Sequence, residues 1–155
     1  MINNTIVQHN VQHWSTKKFN LSHTYHSINP HIILINSHGM KEEETLKLQG
    51  YITYKINSTQ ERNDGNAILI KNNIKHKVDK DYITDVLEVI IDTDIGEVGI
   101  ATTYIPPRRA FLPFPDFHRL ATKHRPTYII GDLNAGINSQ GHSNNRVGKG
   151  LQSFF

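Results

Sequence analysis

The chain has 155 residues, of which 37% are hydrophobic and 20% are charged, and its formal net charge is +3. This composition is apolar enough to form a core and excludes wholesale disorder. The absence of cysteine excludes disulfides and thiolate metal sites, and no run approaches the roughly 20 apolar residues of a membrane span. We therefore expect an intracellular, soluble chain, nuclear or cytoplasmic. Its basic charge is compatible with a polyanionic partner such as DNA, but by itself it is more typical of a basic soluble domain with no nucleic-acid role.

The first part of the chain predicts a strand, a helix and a second strand. Residues 5–9 predict a short strand, and Ser15 or Thr16 is expected to cap a helix that ends before Pro30. The continuous apolar run at residues 31–36 predicts a strand buried on both faces. This order of elements is typical of layered α/β architecture.

The middle of the chain predicts further strands, at residues 50–56, 66–71, 86–91 and 98–104. Residues 62–65 end in Asp-Gly and predict a turn between the first two of them. The last two strands are expected to form a hairpin with a long turn at residues 92–96.

The last part of the chain predicts a helix at residues 116–124 and a buried strand at 127–130. A loop rich in Gly, Ser and Asn follows at 135–145, and a final helix is expected from about Arg146.

Polar side chains at predicted strand ends are the first candidates for chemistry. Asp132 and Asn134 are two residues apart, and on a strand such side chains face the same side. A carboxylate there can ligate a hard cation or accept a proton from water, and an amide can donate to a phosphate oxygen. The structural alternative is a strand exit that uses Asp and Asn as turn residues.

Tyr104 and Asn10 are weaker candidates. Tyr104 precedes Arg108 and Arg109, and a hydroxyl beside two guanidinium groups can hold a phosphate. By themselves, these residues are more typical of an edge tyrosine followed by a proline-stiffened loop. Asn10 by itself is more typical of a structural amide at a strand end.

Two other classes of site have little support. The chain has ten histidines but no His-Glu-x-x-His pattern, which disfavours a dedicated zinc site. Ser37 and His38 are adjacent, but no acidic group that would orient the histidine is identifiable, which disfavours a serine hydrolase.

The order of five segments is more specific than any one of them. The segments lie at residues 7–10, 29–35, 63–70, 104–107 and 130–135. In this order they resemble the endonuclease/exonuclease/phosphatase superfamily, and especially the apurinic-type endonuclease domain of non-LTR retrotransposons of the jockey, I and R1 sort. Residues 145–151, Asn-Arg-Val-Gly-Lys-Gly-Leu, resemble the helix that follows in those domains.

The resemblance implies a four-layer α/β sandwich, with two packed and mostly antiparallel sheets and helices outside. It also implies Mg²⁺ or Mn²⁺ as cofactor, hydrolysis of a DNA phosphodiester, and a reverse transcriptase domain as partner in the full-length polyprotein. No membrane partner and no obligate oligomer are expected.

The same resemblance implies roles for individual residues. Asp132 would orient or deprotonate the attacking water, Asn134 would hold the scissile phosphate and the water, and Tyr104 would bind a phosphate oxygen. Asn10 would belong to the metal shell. Phosphate or DNA contacts are expected from Arg108, Arg109 and Arg146.

The sequence departs from this superfamily at two places. Asn36-Ser37-His38 stands where the family has Gln-Glu-Thr, so Ser37 replaces a metal-binding glutamate. The family's closing Ser-Asp-His segment is absent, so we expect residues 1–155 to form a partial domain with its C-terminal part missing. An exposed sheet edge would make it marginally stable or prone to aggregation, which a thermal melt followed by circular dichroism would test.

Two alternatives to an active endonuclease therefore stay open. One is a catalytically inactive relic or DNA-binding module with the same fold. The other is a phosphatase or exonuclease of the same superfamily, because fold does not decide substrate.

Overall fold

The computed structural model describes residues 5–57, 64–79, 85–107, 112–137 and 144–154. The strands are β1 (Ile6–Asn10), β2 (Ile32–Asn36), β3 (Tyr51–Asn57), β4 (Gly65–Lys71), β5 (His76–Val78), β6 (Val86–Thr93), β7 (Gly96–Thr103) and β8 (Thr127–Ile129). The helices are α1 (Trp14–Ile28), α2 (Phe114–Ala121) and α3 (Arg146–Phe154). The strands form two four-stranded sheets, in the orders β1-β2-β4-β3 and β5-β6-β7-β8.

The predicted four-layer α/β sandwich is confirmed. Apolar side chains alternate between the two faces of each central strand, so each sheet has an apolar inner face and an apolar outer face. On β2, Ile33 and Ile35 face the outer core under α1, which also contains Trp14, Leu21 and Tyr25. Ile32 and Leu34 face the inner core between the sheets, together with Ile68, Ile70, Leu87, Val89 and Ile100. The outer face of the second sheet packs against α2 and α3 through Val86, Ala101, Phe117, Leu120 and Val147.

Both sheets are mixed. In the first, β1 and β2 run parallel while β2–β4 and β3–β4 are antiparallel. In the second, β7 and β8 run parallel while β5–β6 and β6–β7 are antiparallel. Because β1 and β2 run parallel with Asn10 opposite Asn36, their polar C-terminal residues meet at one edge of the first sheet.

The two sides of the sandwich differ. On one side the edge strands β3 and β5 are linked, because the hydroxyl of Tyr54 lies 2.9 Å from Nε2 of His76. On the other side, between β1 and β8, the inner face opens into a cavity of about 260 Å³ lined mainly by apolar side chains, among them Ile6, Ile91, Ile100 and Tyr128. Tyr128 on β8 is 59% exposed. The expected marginal stability of the chain stays a prediction.

A cluster of buried charges fixes α2 to the outer face of the second sheet. Glu88 on β6 is fully buried, and its carboxylate lies 2.8 Å from Nζ of Lys123 and 2.9 Å from Nη2 of Arg125. Arg119 on α2 pairs with Asp79 at 2.9 Å, and Lys123 also contacts Asp79. We call Asp79, Glu88, Arg119, Lys123 and Arg125 the ion cluster. Opposite charges meet within it, so buried charges here are paired.

Two predictions near turns were wrong. Neither Ser15 nor Thr16 caps α1, which begins at Trp14; the cap position is His13, and no side chain caps it. The Trp14 amide instead donates to the carbonyl oxygen of His38 at 2.8 Å. The turn of the β6–β7 hairpin is tight, because β6 continues to Thr93 and β7 already begins at Gly96, which pairs with Thr93. Gly96 adopts a φ of 119°.

The other differences lie toward the end of the chain. The predicted buried strand at 127–130 is the half-exposed edge strand β8, because β7 alone pairs with it among the described strands. The helix predicted at 116–124 begins at Phe114, with a proline in its first turn, and ends at Ala121. β5 was not predicted, and residues 62 and 63 of the predicted turn lie outside the described residues. No helix of the described ranges is long and apolar enough to span a membrane.

Candidate active site at the strand ends

Three asparagines lie side by side where the strands of the first sheet reach one edge. Asn10 ends β1, Asn36 ends β2, and Asn66 is the second residue of β4. The register pairs Asn36 with both of the others. Because paired residues on neighbouring strands face the same side of a sheet, these three amides form a polar row above the apolar inner core.

Asn36 joins the two sheets through a buried hydrogen-bond network. Its Nδ2 donates to Oδ1 of Asn66 at 2.8 Å and to Oγ1 of Thr102 at 2.9 Å, and its Oδ1 accepts from Gln8 at 2.6 Å. Nδ2 of Asn66 in turn donates to the carbonyl oxygen of Asp85 at 2.9 Å. Asn36 is fully buried, and its hydrogen bonds offset the cost of removing the amide from water.

Asp132 is brought to this row from the second sheet. It forms an isolated parallel bridge with Tyr104, just beyond β7, and its carbonyl oxygen accepts from the amide of Ile105 at 2.9 Å. Gly131 makes this close approach possible, since a Cβ there would overlap the carbonyl oxygen of Thr103. The sequence Gly-Asp therefore places a carboxylate at the edge where the two sheets meet.

Each oxygen of the Asp132 carboxylate accepts a hydrogen bond. Oδ2 accepts from Nδ2 of Asn10 at 2.6 Å, a contact between residues 122 positions apart in the chain. Oδ1 accepts from the backbone amide of Asn134 at 3.2 Å. The carboxylate is half-buried and held in a fixed orientation by two neutral donors, so no cation in these two contacts neutralises its charge.

Asn134 is held beside Asp132 in a different way from the one predicted. Residues 132–134 lie beyond the end of β8, and Asn134 adopts a left-handed φ of 45°. Its Nδ2 donates to the carbonyl oxygen of Ile105 at 2.9 Å, and its own carbonyl oxygen accepts from Nδ2 of Asn145 at 2.6 Å. Oδ1 of Asn145 accepts from the amide of Gly148 at 2.8 Å, which ties this turn to the start of α3.

Ser37 and Asp64 meet at the opposite end of the row. Ser37 follows β2 with a left-handed φ of 55° and is nearly buried. Its hydroxyl donates to Oδ1 of Asp64 at 3.2 Å. Asp64 directly precedes β4, so this contact crosses between two neighbouring strands of the first sheet.

The side chain of His38, the residue after Ser37, packs inside the fold and hydrogen-bonds to nearby backbone groups. It is fully buried, its Nδ1 accepts from the amide of Met40 at 3.0 Å, and Nε2 lies 3.1 Å from the carbonyl oxygen of Ile56. These partners require the tautomer with the proton on Nε2, and burial lowers the pKa of the imidazole below its usual value. A Cβ at Gly65 would overlap this ring, so glycine is needed there for His38 to pack.

Only one of the three predicted arginines lies within the described residues. Arg108 and Arg109 lie outside the described residues. Arg146 is exposed as the first residue of α3, next to Asn145.

The side chains at the edge are compatible with a hard divalent cation. Oδ1 of Asn10 is buried and has no hydrogen-bond partner within the described ranges. The neighbouring donors are carboxylate, amide and hydroxyl oxygens, which suit Mg²⁺ or Mn²⁺ better than softer metals. The described residues contain no group of three or more His, Cys, Asp or Glu side chains arranged for a metal ion, so any cation there has few charged ligands from these residues.

Sequence reasoning identified Asn10, Tyr104, Asp132 and Asn134, and the structure brings these residues to one edge. It missed the buried roles of Asn36 and Asn66 and the contact between Ser37 and Asp64. The sequence contained one signal for the two asparagines: an asparagine directly after the apolar residues in Ile-Leu-Ile-Asn and directly before them in Gly-Asn-Ala-Ile. Antiparallel pairing of these strands brings the two asparagines to the same edge of the sheet.

Solved structures with the same fold include several nucleic-acid enzymes. The endonuclease domain of TRAS1, a telomere-specific non-LTR retrotransposon, superposes with a TM-score of 0.74 at 16% identity, covering 97% of this chain and 70% of that one. The AP endonuclease LMAP from Leishmania major gives a TM-score of 0.72 at 15% identity, covering 97% of this chain and 64% of that one. The 3′ phosphatase NExo from Neisseria, bound to a product DNA hairpin, gives 0.64 at 12% identity, covering 96% of this chain and 69% of that one.

The chain therefore has the fold of the endonuclease/exonuclease/phosphatase superfamily. It spans about two thirds of the length of each of these three proteins. No family model matches the sequence. No curated protein sequence matches it either.

Proposed function

We propose that this chain is part of a metal-dependent DNA endonuclease domain of the retrotransposon type, which hydrolyses a phosphodiester bond of its target DNA. The observation that carries the proposal is the contact between Asn10 and Asp132, 2.6 Å long, beside the unpartnered Oδ1 of Asn10. It places the oriented carboxylate of Asp132 beside an amide oxygen that accepts no hydrogen bond from the described residues, where the two sheets meet. The fold shared with a retrotransposon endonuclease and an AP endonuclease supports it.

In the proposed reaction, Asp132 orients a water molecule and takes its proton as the water oxygen attacks phosphorus. The bond from phosphorus to the leaving sugar oxygen breaks, and this oxygen keeps the bonding electrons and takes a proton from solvent water. Asp132 then releases its proton to solvent. The two neutral donors on Asp132 hold its oxygens in place without a paired cation, so it remains a proton acceptor.

Asn134 and Tyr104 would position the phosphate in this scheme. One N–H of the Asn134 amide is used by the carbonyl oxygen of Ile105, and its second N–H would donate to a phosphate oxygen. Tyr104 lies directly beside Asp132 through the bridge between their strands, and its hydroxyl would bind another phosphate oxygen. Arg108, Arg109 and Arg146 would contact the DNA backbone.

Asn10 would hold Mg²⁺ or Mn²⁺ through Oδ1. A bound divalent cation would stabilise the negative charge that develops on the phosphate oxygens. The partner in a full-length polyprotein would be a reverse transcriptase domain.

A DNA-binding relic is the second candidate. Ser37 presents a neutral hydroxyl where the resemblance implies a metal-binding glutamate, and a hydroxyl is a poorer Mg²⁺ ligand than a carboxylate. A phosphatase or exonuclease is the third candidate, since a 3′ phosphatase has the same fold.

Product mapping on a labelled DNA duplex distinguishes these candidates. The duplex is incubated with the chain in Mg²⁺, in Mn²⁺ and in EDTA, and DNA binding is followed by gel shift. An endonuclease gives metal-dependent internal cuts, whereas an exonuclease gives a ladder and a phosphatase removes only a terminal phosphate. DNA binding without any product would identify the relic and contradict the proposal.

The matched variants are Asp132→Ala and Asp94→Ala. Asp94 is an exposed carboxylate on the β6–β7 turn. Loss of the proton acceptor is expected to slow cutting by about 10² to 10⁴-fold, whereas Asp94→Ala cuts like the wild type.

A further inference from the structure

We propose that Asp64 supplies the carboxylate ligand for a divalent cation at the strand-end site, in place of the side chain at position 37. This inference rests on the proposed function, because it assumes that a cation binds beside Asn10. It assigns Asp64 a role that follows from its contact with Ser37.

The position of Asp64 is set by the sheet. β2 and β4 are antiparallel with Asn36 opposite Asn66, and the amide of His38 donates to the carbonyl oxygen of Gly65 at 3.2 Å just beyond that pair. The backbone before β4 therefore follows the backbone after β2. Ser37 turns away from the strand with a φ of 55°, and its hydroxyl lies 3.2 Å from the Asp64 carboxylate.

Through this contact the carboxylate of Asp64 lies next to residue 37, although the side chain of residue 37 carries no carboxylate itself. An oxygen of Asp64 within hydrogen-bond distance of the Ser37 hydroxyl lies within one side-chain length of the Cβ of residue 37. The short serine leaves this volume to Asp64 and also holds Asp64 there as a donor.

Asn10, whose buried Oδ1 has no hydrogen-bond partner among the described residues, lies on β1, the other neighbour of β2. β1 pairs with β2, Asn10 opposite Asn36, and the amide of His13 donates to the carbonyl oxygen of Ser37 at 3.1 Å. Ser37 is thus flanked by Asn10 on β1 and by Asp64 before β4. A buried acceptor without a donor is destabilising, and a bound cation would remove that cost.

Few protein ligands are sufficient for such a cation. Mg²⁺ keeps several waters and is commonly bound through one or two carboxylates together with substrate phosphates. Asp64 and the Asn10 amide oxygen would be the protein ligands of such a cation. This small number of ligands also agrees with the lack of any group of three His, Cys, Asp or Glu side chains arranged for a metal among the described residues.

Binding of Mn²⁺ in the absence of DNA tests this inference. The readout is the electron paramagnetic resonance signal of free Mn²⁺ during titration of the chain, which requires no catalysis. The variants are Asp64→Asn, Ser37→Glu, the double variant of both, and Asp94→Asn as the exposed control. Asparagine at position 64 keeps an oxygen that accepts from Ser37, and circular dichroism verifies that each variant is folded.

We expect Asp64→Asn to weaken Mn²⁺ binding by about ten- to a hundredfold, comparable to the loss of a metal-supporting group in other sites. Ser37→Glu in the Asp64→Asn background returns a carboxylate to the same volume and is expected to restore binding. Asp94→Asn is expected to bind like the wild type. Rescue by a carboxylate from the neighbouring strand would not follow from a purely structural role of Asp64.

Equal Mn²⁺ binding by the wild type and Asp64→Asn would overturn this inference, and so would a double variant that binds no better than Asp64→Asn. Metal-dependent cutting of DNA by Asp64→Asn at the wild-type rate would also overturn it while leaving the proposed function in place. Conversely, Asp64-dependent Mn²⁺ binding by a chain that never cuts DNA would support the inference and contradict the proposed endonuclease.

Discussion

The strand-end site and the ion cluster use polar side chains in opposite ways. In the ion cluster, Glu88 is fully buried and contacts two cations within 2.9 Å. At the strand ends, Asp132 accepts hydrogen bonds from two neutral groups, and Asn10 leaves an oxygen without a donor. In the first arrangement each carboxylate is paired with cations, and these ion pairs fix α2. Nε and Nη2 of Arg119 and Nε of Arg125 have no hydrogen-bond partner among the described residues, but no carboxylate of the cluster is left without a counter-charge. The second offers unused oxygens and an oriented carboxylate, as expected of a site that binds a ligand.

This difference separates stability from chemistry. Removing a carboxylate from the ion cluster leaves its cations with less counter-charge, so the fold is expected to weaken without loss of the ligand site. Removing an oxygen from the strand-end site is expected to affect binding and hydrolysis first.

Glu88→Ala is expected to have the largest effect on stability, a loss of about 3–5 kcal/mol in the free energy of unfolding. The reason is that the largely buried Lys123 and Arg125 would lose the fully buried carboxylate and keep only Asp79 as a counter-charge. Urea unfolding measures the change. Glu97→Ala is the matched control, because its ion pair with Lys77 is exposed and worth about 0–1 kcal/mol. Similar losses for the two variants would show that the ion cluster does not fix α2.

Asn36→Ala is expected to lower the free energy of unfolding by about 1–3 kcal/mol. The substitution leaves Oδ1 of Asn66 and the hydroxyl of Thr102 without this partner inside the sandwich. The measurement is again urea unfolding, with the exposed Asn20→Ala on α1 as control. An unchanged free energy of unfolding in Asn36→Ala would mean that water replaces the amide and that the hydrogen-bond network does not join the sheets.

Asn145→Ala is expected to cost about 1 kcal/mol through loss of the cap on α3. It also releases the carbonyl oxygen of Asn134, so DNA cutting is expected to slow together with the loss of stability. Chemical unfolding and cutting rates are measured on the same preparation, with Asn144→Ala as the neighbouring control. A loss of stability with an unchanged cutting rate would show that α3 does not position Asn134.

The smallest effect is the pH dependence contributed by His38. Its pKa is lowered in the folded chain, so between that value and the unfolded value of about 6.5 the unfolded chain binds more protons. Its contribution to stability is therefore present above about pH 6.5 and is lost as the pH falls through this window. Unfolding free energies of the wild type at pH values from about 7.5 to about 5 measure the slope.

His38→Gln is expected to flatten that slope, whereas the exposed His23→Gln leaves it as in the wild type. An identical slope in the wild type and in His38→Gln would contradict the assignment of a neutral, buried His38.

Much of the fold follows from local patterns in the sequence. The apolar run of β2 predicted its burial on both faces, and Pro30 predicted the end of α1, where Asn29 adopts the left-handed conformation. β8 was predicted as buried because Tyr-Ile-Ile is apolar, but its position at a sheet edge depends on which strands pair with it, and no local pattern specifies that pairing.

The candidate site was predictable in part for the same reason. Asp132 and Asn134 stand out locally, since a Gly-Asp-Leu-Asn segment after an apolar strand is distinctive. The partner of Asp132 is 122 positions away at Asn10, and the link between Ser37 and Asp64 spans 27 positions. Such contacts depend on strand order and register, and they became visible only in the folded chain.

Nicking of supercoiled plasmid by the wild type, Asp132→Ala and Glu97→Ala tests most directly whether the strand-end site hydrolyses DNA. It is run in Mg²⁺ and in Mn²⁺, with EDTA as the metal-free control. We predict metal-dependent nicking by the wild type and Glu97→Ala, and loss of nicking in a folded Asp132→Ala. Nicking that persists in Asp132→Ala would contradict the role of Asp132 as the proton acceptor. A folded wild type that binds DNA without nicking it in either metal would contradict the proposed endonuclease.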